Sequence, residues 1–263
     1  ARDHAAAPPA PPAGSTTPAP VTTPTSDPWQ VLRAATRARV ALGRAGDALP
    51  TARELEFRAA HAAAKDAVHA PFEPGLVREA LGGADVLCVA SAAPDRTTYL
   101  QRPDLGRRLA DGTTFPPPGD GVDLAVVVAD GLSPLAVHRH AAPTVTALLA
   151  RLPGWVVAPV VLASQARVAL GDEVGAALGA RAVVVLVGER PGLSAADSLG
   201  VYLTWDPRPG RADSERNCVS NVRPPHGTGY EAAAVTVAAL LNAARELGAS
   251  GVALKDEGPA LGA

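Results

Sequence analysis

Hydrophobic spacing changes character along this chain. From Asp85 onward, short β-branched runs alternate with stretches of helical periodicity. The predicted strands are Asp85–Ala90 (DVLCVA), Val122–Ala129 (VDLAVVVA), Trp155–Leu162 (WVVAPVVL), Arg181–Val187 (RAVVVLV) and Gly200–Trp205 (GVYLTW). Pro159 leaves the start of the third open, because proline cannot donate to a strand ladder. Helices are predicted between them. Ser133 and Pro134 form an N-cap and N1 pair that opens one to about Leu152. A short helix runs from Asp172 to Leu178, stopped by Gly179. A long one runs from Glu231 to Leu247, with Val235, Ala238, Leu241 and Ala244 on its apolar side and Gly248 closing it. Continuous apolar strands alternating with helices indicate an α/β fold: a Rossmann-like, mostly parallel sheet with helices on both faces.

Upstream the texture differs. Residues 1–28 hold eight prolines and no aromatic residue, a composition expected to stay a disordered or polyproline-like tail. Asp27, Pro28 and Gln30 fit the N-cap, N1 and N3 positions of a helix to about Leu42, stopped near Gly43 and Gly46. Arg33, Arg37 and Arg44 share a face of it, which suits either solvent or an acidic partner surface. Thr51–Glu54 has the form of a capping box and opens a helix to about Val68, whose Ala59, Ala62 and Ala63 would admit another helix closely. The expected division is therefore a tail (1–28), a small helical N-terminal region (29–83) and a Rossmann-like domain (84–263).

Composition narrows the function classes. With 24 basic and 26 acidic residues, the chain lacks the basic excess of a nucleic-acid binder. Cys88 and Cys218 are far apart and form no C-x-x-C pair, so neither a disulfide framework nor a zinc knuckle is expected, and a reducing cytoplasm suits them. No apolar run approaches a membrane-spanning length. With no methionine anywhere, the chain is expected to have lost its initiator.

In open parallel sheets, ligands bind beyond the carboxyl ends of the strands. Three loops fall there: Asp130–Ser133, Ser164–Val168 and Gly188–Gly192. Asp130 is either a turn residue with Gly131 or a site residue. Glu189 either pairs with Arg190 or Arg208 on the surface or accepts hydrogen bonds from a ligand. Val168 suits core or ligand contact. Cys218 fits first as a buried small hydrophobe, the commonest state of a free cysteine. His61, His69, His138, His140 and His226 form no ligand motif. There is no G-x-S-x-G elbow, no phosphate loop and no H-E-x-x-H. Gly227-Thr-Gly229 lacks the third glycine and the preceding strand of a dinucleotide fingerprint, which weakens the alternative of a self-sufficient oxidoreductase.

Five blocks together resemble the ethanolamine ammonia-lyase small (light) subunit family: FRAAHAAAKDAV (Phe57–Val68), SAAPDRTTYLQ with RPDLGRR (to Arg108), VVADGLS (Val127–Ser133), LVGERPGLS (Leu186–Ser194) and ERNCVSN (Glu215–Asn221). They occur in the family's order and span roughly Trp29 to Leu247. The resemblance implies a two-chain enzyme in which a large subunit carries the substrate site and converts ethanolamine to acetaldehyde and ammonia. The radical chemistry comes from adenosylcobalamin, shared between the chains. It implies Val168, Glu189 and Cys218 as cofactor-binding residues, with no catalytic residue and no metal ligand in this chain, which is expected to be inactive alone. The D-x-H-x-x-G motif of proteins that supply a lower axial histidine is absent, as in that family. The implied location is cytoplasmic, with packaging inside a bacterial microcompartment left open. A noncatalytic scaffold would explain the Pro-rich tail but not the GERPG and RNCVSN blocks.

Overall fold

A computed structural model of the chain describes residue 27 and residues 29–117 and 121–254. The Ala/Pro-rich tail, apart from Asp27, and Pro28 at its proposed N1 position lie outside these. At the centre is a six-stranded sheet in the order β1-β3-β2-β4-β5-β6. Its strands are β1 (Val86–Ala90), β2 (Leu124–Ala129), β3 (Val160–Ser164), β4 (Ala182–Gly188), β5 (Leu199–Trp205) and β6 (Arg216–Val222). The first four in spatial order are parallel, and β5 and β6 are added antiparallel.

The parallel strands alternate their burial between two cores. Leu124, Val126 and Val128 face α5 (Pro134–Leu149) and α7 (Tyr230–Leu247), with Ala141, Val145, Val237 and Leu241 opposite them. Ala125, Val127 and Ala129 face α6 (Leu170–Ala177), with Leu170 and Val174 opposite. Strands buried on both faces need no polar alternation, which is why VVVA and VVVLV are continuous apolar runs. α6 sits very close to the sheet. A Cβ on Gly171 would stand 2.3 Å from Val185 Cγ2, so only glycine allows this approach.

Several boundaries move from those predicted. The third strand begins at Val160, after Pro159, rather than at Trp155. α5 stops at Leu149 and α6 starts at Leu170. β6 is not predicted from hydrophobic spacing, because as an edge strand it buries only Arg216, Val219 and Val222 of its seven residues. Two short helices, α3 (Pro74–Ala80) and α4 (Arg96–Gln101), are also unpredicted.

The N-terminal helices differ most. α1 covers only Gln30–Ala35, and Trp29, not Asp27, is its N-cap. Asp27 instead accepts from the Trp29 N–H at 3.0 Å. Thr36 is extended and its hydroxyl accepts from Ala38 N–H at 3.1 Å, a local turn that competes with helix where no packed face opposes it. α2 covers Thr51–His69, but Pro50 is the N-cap and no capping box forms. Glu54 pairs instead with Arg58 at 2.6 Å. Ala59, Ala62 and Ala63 are exposed, so no described helix lies against them. No described helix is long and apolar enough to cross a membrane.

Candidate functional site

The three strand-end loops converge, and two devices lock them. The first is a buried ion pair. Asp130, at the end of β2, accepts from Ala166 N–H at 2.9 Å and from Arg96 Nη1 at 3.2 Å. Arg96 also donates to Gly131 O and Val68 O, both at 2.8 Å, so one guanidinium ties the end of α2 to two strand-end loops. Burial pushes the Asp130 carboxyl up to about 6, outweighing the Ala166 N–H and the Arg96 charge. Asp130 is thus neither a plain turn residue nor open to a ligand. The second device is backbone contact. A Cβ on Gly188 would stand 2.2 Å from Ser133 O, so β4 can end against the β2 loop only with glycine there.

Beyond Gly188, the segment 189–198 leaves and returns to the sheet through paired ends, with Glu189 N–H donating to Ser198 O at 2.9 Å. Its outer part is anchored on the α5 side. The Ser133 hydroxyl caps α5 and donates to Ala196 O at 2.8 Å. Asp197 accepts from Arg139 at 2.7 Å and from the buried Arg223 at 3.4 Å. His140 lies against the same carboxylate at 3.6 Å and shares a hydrogen bond with the Tyr230 hydroxyl at 2.9 Å. Burial nevertheless holds the His140 imidazole below its ordinary value, helped by the Arg139 and Arg223 charges.

Glu189 itself is half-buried and pairs with neither Arg190 nor Arg208. Its carboxylate accepts from three donors: the Ser198 hydroxyl, the Ser220 hydroxyl at 2.6 Å and Asn221 N–H at 3.3 Å. A bulge in the β5–β6 pairing makes this possible. Register shifts between Leu199 and Val201, and Asn221 adopts a positive φ of 58°. Val219 and Val222 therefore both point inward, while Ser220 and Asn221 turn out toward Glu189.

The α6 side of β5 and β6 is left open. Gly200, Tyr202 and Thr204 alternate onto it from β5, and Arg216, Cys218 and Ser220 from β6. α6 closes one end, where Arg216 donates to Asp172 through two bonds of 2.7 Å. Further along the strands, Tyr202 is half-buried and stands opposite Cys218, which is exposed. The expectation of a buried Cys218 is therefore corrected: an edge strand with no helix over this face leaves the thiol accessible. Its partial burial beside Tyr202 still pushes the thiol up. Val168, half-buried just before α6, packs against the same core cluster as Tyr202. So Val168, Glu189 and Cys218 come to the same side of the sheet, Val168 and Glu189 beyond strand ends and Cys218 within β6, opposite Tyr202.

Residues unread in the sequence complete this surface. They are Ser198, Tyr202, Ser220 and Asn221; Ser220 and Asn221 belong to the ERNCVSN block and Tyr202 to a predicted strand, but nothing in their local sequence marks them as site residues. A Cβ on Gly200 would stand 3.0 Å from Glu189 Oε1 and 3.1 Å from Tyr202 Cε2, so glycine keeps a recess open between them. What the arrangement offers is a flat, partly apolar patch with a fixed carboxylate and two hydroxyls along its edge.

The sequence model of the ethanolamine ammonia-lyase light chain (EutC) matches residues 26–255. The chain belongs to this family. Among curated proteins it is 55% identical to the ethanolamine ammonia-lyase small subunit of Azotobacter vinelandii over 243 residues, covering 89% of this chain and 90% of that one. It is 56% identical to the small subunit of Xanthomonas campestris pv. campestris over 247 residues, covering 90% of each. The small subunit of Rhodococcus erythropolis is 50% identical over 237 residues, covering 89% of this chain and 91% of its own. Membership of the ethanolamine ammonia-lyase light chain family implies a large partner subunit, and the matched span includes every strand described above.

Proposed function

We propose that this chain is the cofactor-holding small subunit of an adenosylcobalamin-dependent ethanolamine ammonia-lyase, with the open face of β5 and β6 forming part of the cobalamin site. The observation that carries this reading is that Val168, Glu189 and Cys218 lie on one side of the sheet, around the open face of β5 and β6. These are the residues that resemblance to the family implicates.

The residues suit such a group. A corrin offers a broad, mostly apolar face with amides around its rim. Tyr202, Cys218 and Val168 present apolar surface of modest height. The recess at Gly200 leaves room beside Glu189. A carboxylate has about four acceptor sites, so Glu189, holding three internal donors, keeps capacity for one more. In this reading Ser198, Ser220 and Asn221 fix the carboxylate, and Glu189 orients a rim amide or hydroxyl rather than taking part in bond changes. Cobalt would arrive within the cofactor and needs no ligand from this chain. When bound, the cofactor supplies the radical chemistry that converts ethanolamine to acetaldehyde and ammonia. The large subunit carries the substrate, and this chain orients the cofactor and excludes water from one side of it. The domain division follows the same logic: residues 29–83 serve assembly and residues 84–263 serve the cofactor. The enzyme works in the cytoplasm.

The test is co-expression with a matching large subunit, with acetaldehyde formation from ethanolamine measured for each chain alone and for both. Turnover that needs both chains and adenosylcobalamin supports the reading. No turnover from an assembled, cofactor-loaded complex removes the assigned reaction. Full turnover by the large chain alone removes the cofactor-holding role.

A further inference from the structure

The N-terminal helices are poorly accounted for by the fold of this chain. From Trp29 to Asp66 no residue is buried. A helical segment of this kind has no packed face to stabilise it, and isolated short helices are marginal in water. Six large apolar side chains in it are solvent-exposed: Trp29 51%, Val31 78%, Leu32 50%, Leu49 49%, Leu55 60% and Phe57 44%. So many exposed large apolar side chains within one segment favour an interaction surface there.

Charge says what kind of surface covers it. From Trp29 to Phe57 there are five arginines, Arg33, Arg37, Arg39, Arg44 and Arg53, and three acids, Asp47, Glu54 and Glu56, of which Glu56 pairs with Arg53 and Glu54 with Arg58. Arg33 pairs with Asp27, and Arg39 donates to Leu193 O at 3.3 Å. Arg37 and Arg44 have no carboxylate partner among the described residues. A second copy of this chain is a poor occupant, since like charges placed face to face are costly. The segment is also continuous with the candidate site. Ser194 donates to Arg37 O at 3.4 Å, and both Leu193 and Ser194 lie in the segment bounded by Glu189 and Ser198.

We propose that the segment from Trp29 to Phe57 is a docking arm for the large subunit, fitting an apolar patch rimmed by carboxylates. This inference rests on the two-chain reading above.

The full chain is tested with its matching large subunit by sedimentation and by a titrated binding assay at low and high salt. Two arm variants are compared with wild type: Val31→Asp with Leu32→Asp, and Arg37→Glu with Arg44→Glu. Val252→Asp, at a position 82% exposed and outside the arm, is the control. The Val31/Leu32 variant should bind roughly thirtyfold more weakly, the scale of losing an interface anchor. The Arg37/Arg44 variant should bind about tenfold more weakly at low salt, with the gap closing as salt rises. Val252→Asp should match wild type. All four chains should melt alike, because the replaced side chains are exposed. Should the Val31/Leu32 variant fold poorly, the arginine variant and its salt dependence decide the matter. Both arm variants binding like wild type overturns the arm. An arm variant that alters only self-association of the small chain assigns the surface to a second copy and also overturns it. Wild type failing to bind any large subunit sinks the two-chain reading itself, a distinguishable result.

Discussion

Replacing Asp172 with alanine isolates a single buried interaction whose loss can be sized from its surroundings. Asp172 and Arg216 side chains are 2% and 3% exposed. Their bidentate contact joins α6 to the edge strand β6. Arg216 also donates to Thr204 Oγ1 at 2.8 Å and to Arg211 O at 3.0 Å. Burial pulls the guanidinium down, yet the bonds and charge of Asp172 outweigh it and hold Arg216 above its ordinary value. Without Asp172, the cation stays buried with two neutral acceptors and the exposed Asp213 at 3.5 Å. Stranding one member of a buried pair costs about 3–5 kcal/mol, against a total stability of about 5–15 kcal/mol for a domain. Urea denaturation of Asp172→Ala should show that loss, with the melting point falling by roughly 10 °C. The decisive comparison is the double variant Asp172→Leu with Arg216→Met. It removes both charges and should cost no more than about 2 kcal/mol, because an apolar pair avoids the desolvation of two ions. Salt should change none of these differences by much, since the pair lies out of reach of screening ions. A loss below about 1 kcal/mol for Asp172→Ala, or a double variant as unstable as the sum of the singles, would refute the reasoning.

Other expectations concern the strand ends. Asp130 titrates at about 6 in the folded chain against 3.8 when unfolded. The folded state therefore holds its proton more tightly, and stability falls as pH rises through this window. Relative to Asp130→Asn, wild type should lose about 2 kcal/mol between pH 3.8 and 6, measured by denaturant melts across that range; a flat difference contradicts it. Glu189→Ala strands the buried Ser198 hydroxyl and leaves the exposed Ser220 and Asn221 to water, so stability should fall by about 1 kcal/mol, and equilibrium dialysis of the assembled enzyme should show weaker adenosylcobalamin binding. Glu189→Gln should lie between. A thiol reagent should modify both Cys88 and Cys218 without denaturant, and the Cys218 rate should keep climbing above the pH at which an ordinary free thiol has saturated. One reactive thiol instead of two would restore a buried Cys218.

The central sheet was legible because VVVA and VVVLV are short, β-branched apolar runs that suit strands buried on both faces, and because Ser133-Pro134 and Gly248 punctuate helices by local geometry alone. Local signals failed where tertiary context decides. Thr51 and Glu54 have the form of a capping box, yet Pro50 sets the entry and Glu54 has Arg58 within reach. β6 carries Asn, Cys, Ser and Asn at its outward positions, so no hydrophobic alternation announces it. At the site, topology pointed to the loops of Val168 and Glu189, and family resemblance supplied Cys218. The partners of Glu189 were hidden because Ser198 and Ser220 are separated by most of two strands, and only the β5–β6 bulge turns both toward the same carboxylate.

The order of strands also sets an order of assembly in time. β4, β5 and β6 are consecutive in sequence and neighbours in space, joined antiparallel by connections of ten residues each. β1 has only one neighbour, β3, and its Val86 must wait for Val160 to be synthesised. Closure of nearby contacts is faster than closure of distant ones. On the ribosome, the first strand to emerge is therefore expected to dock late, after the C-terminal half has formed. Pulsed hydrogen exchange during refolding should find β4 and β5 amides protected before those of β1; the reverse sequence would show that the growing chain is organised from its beginning.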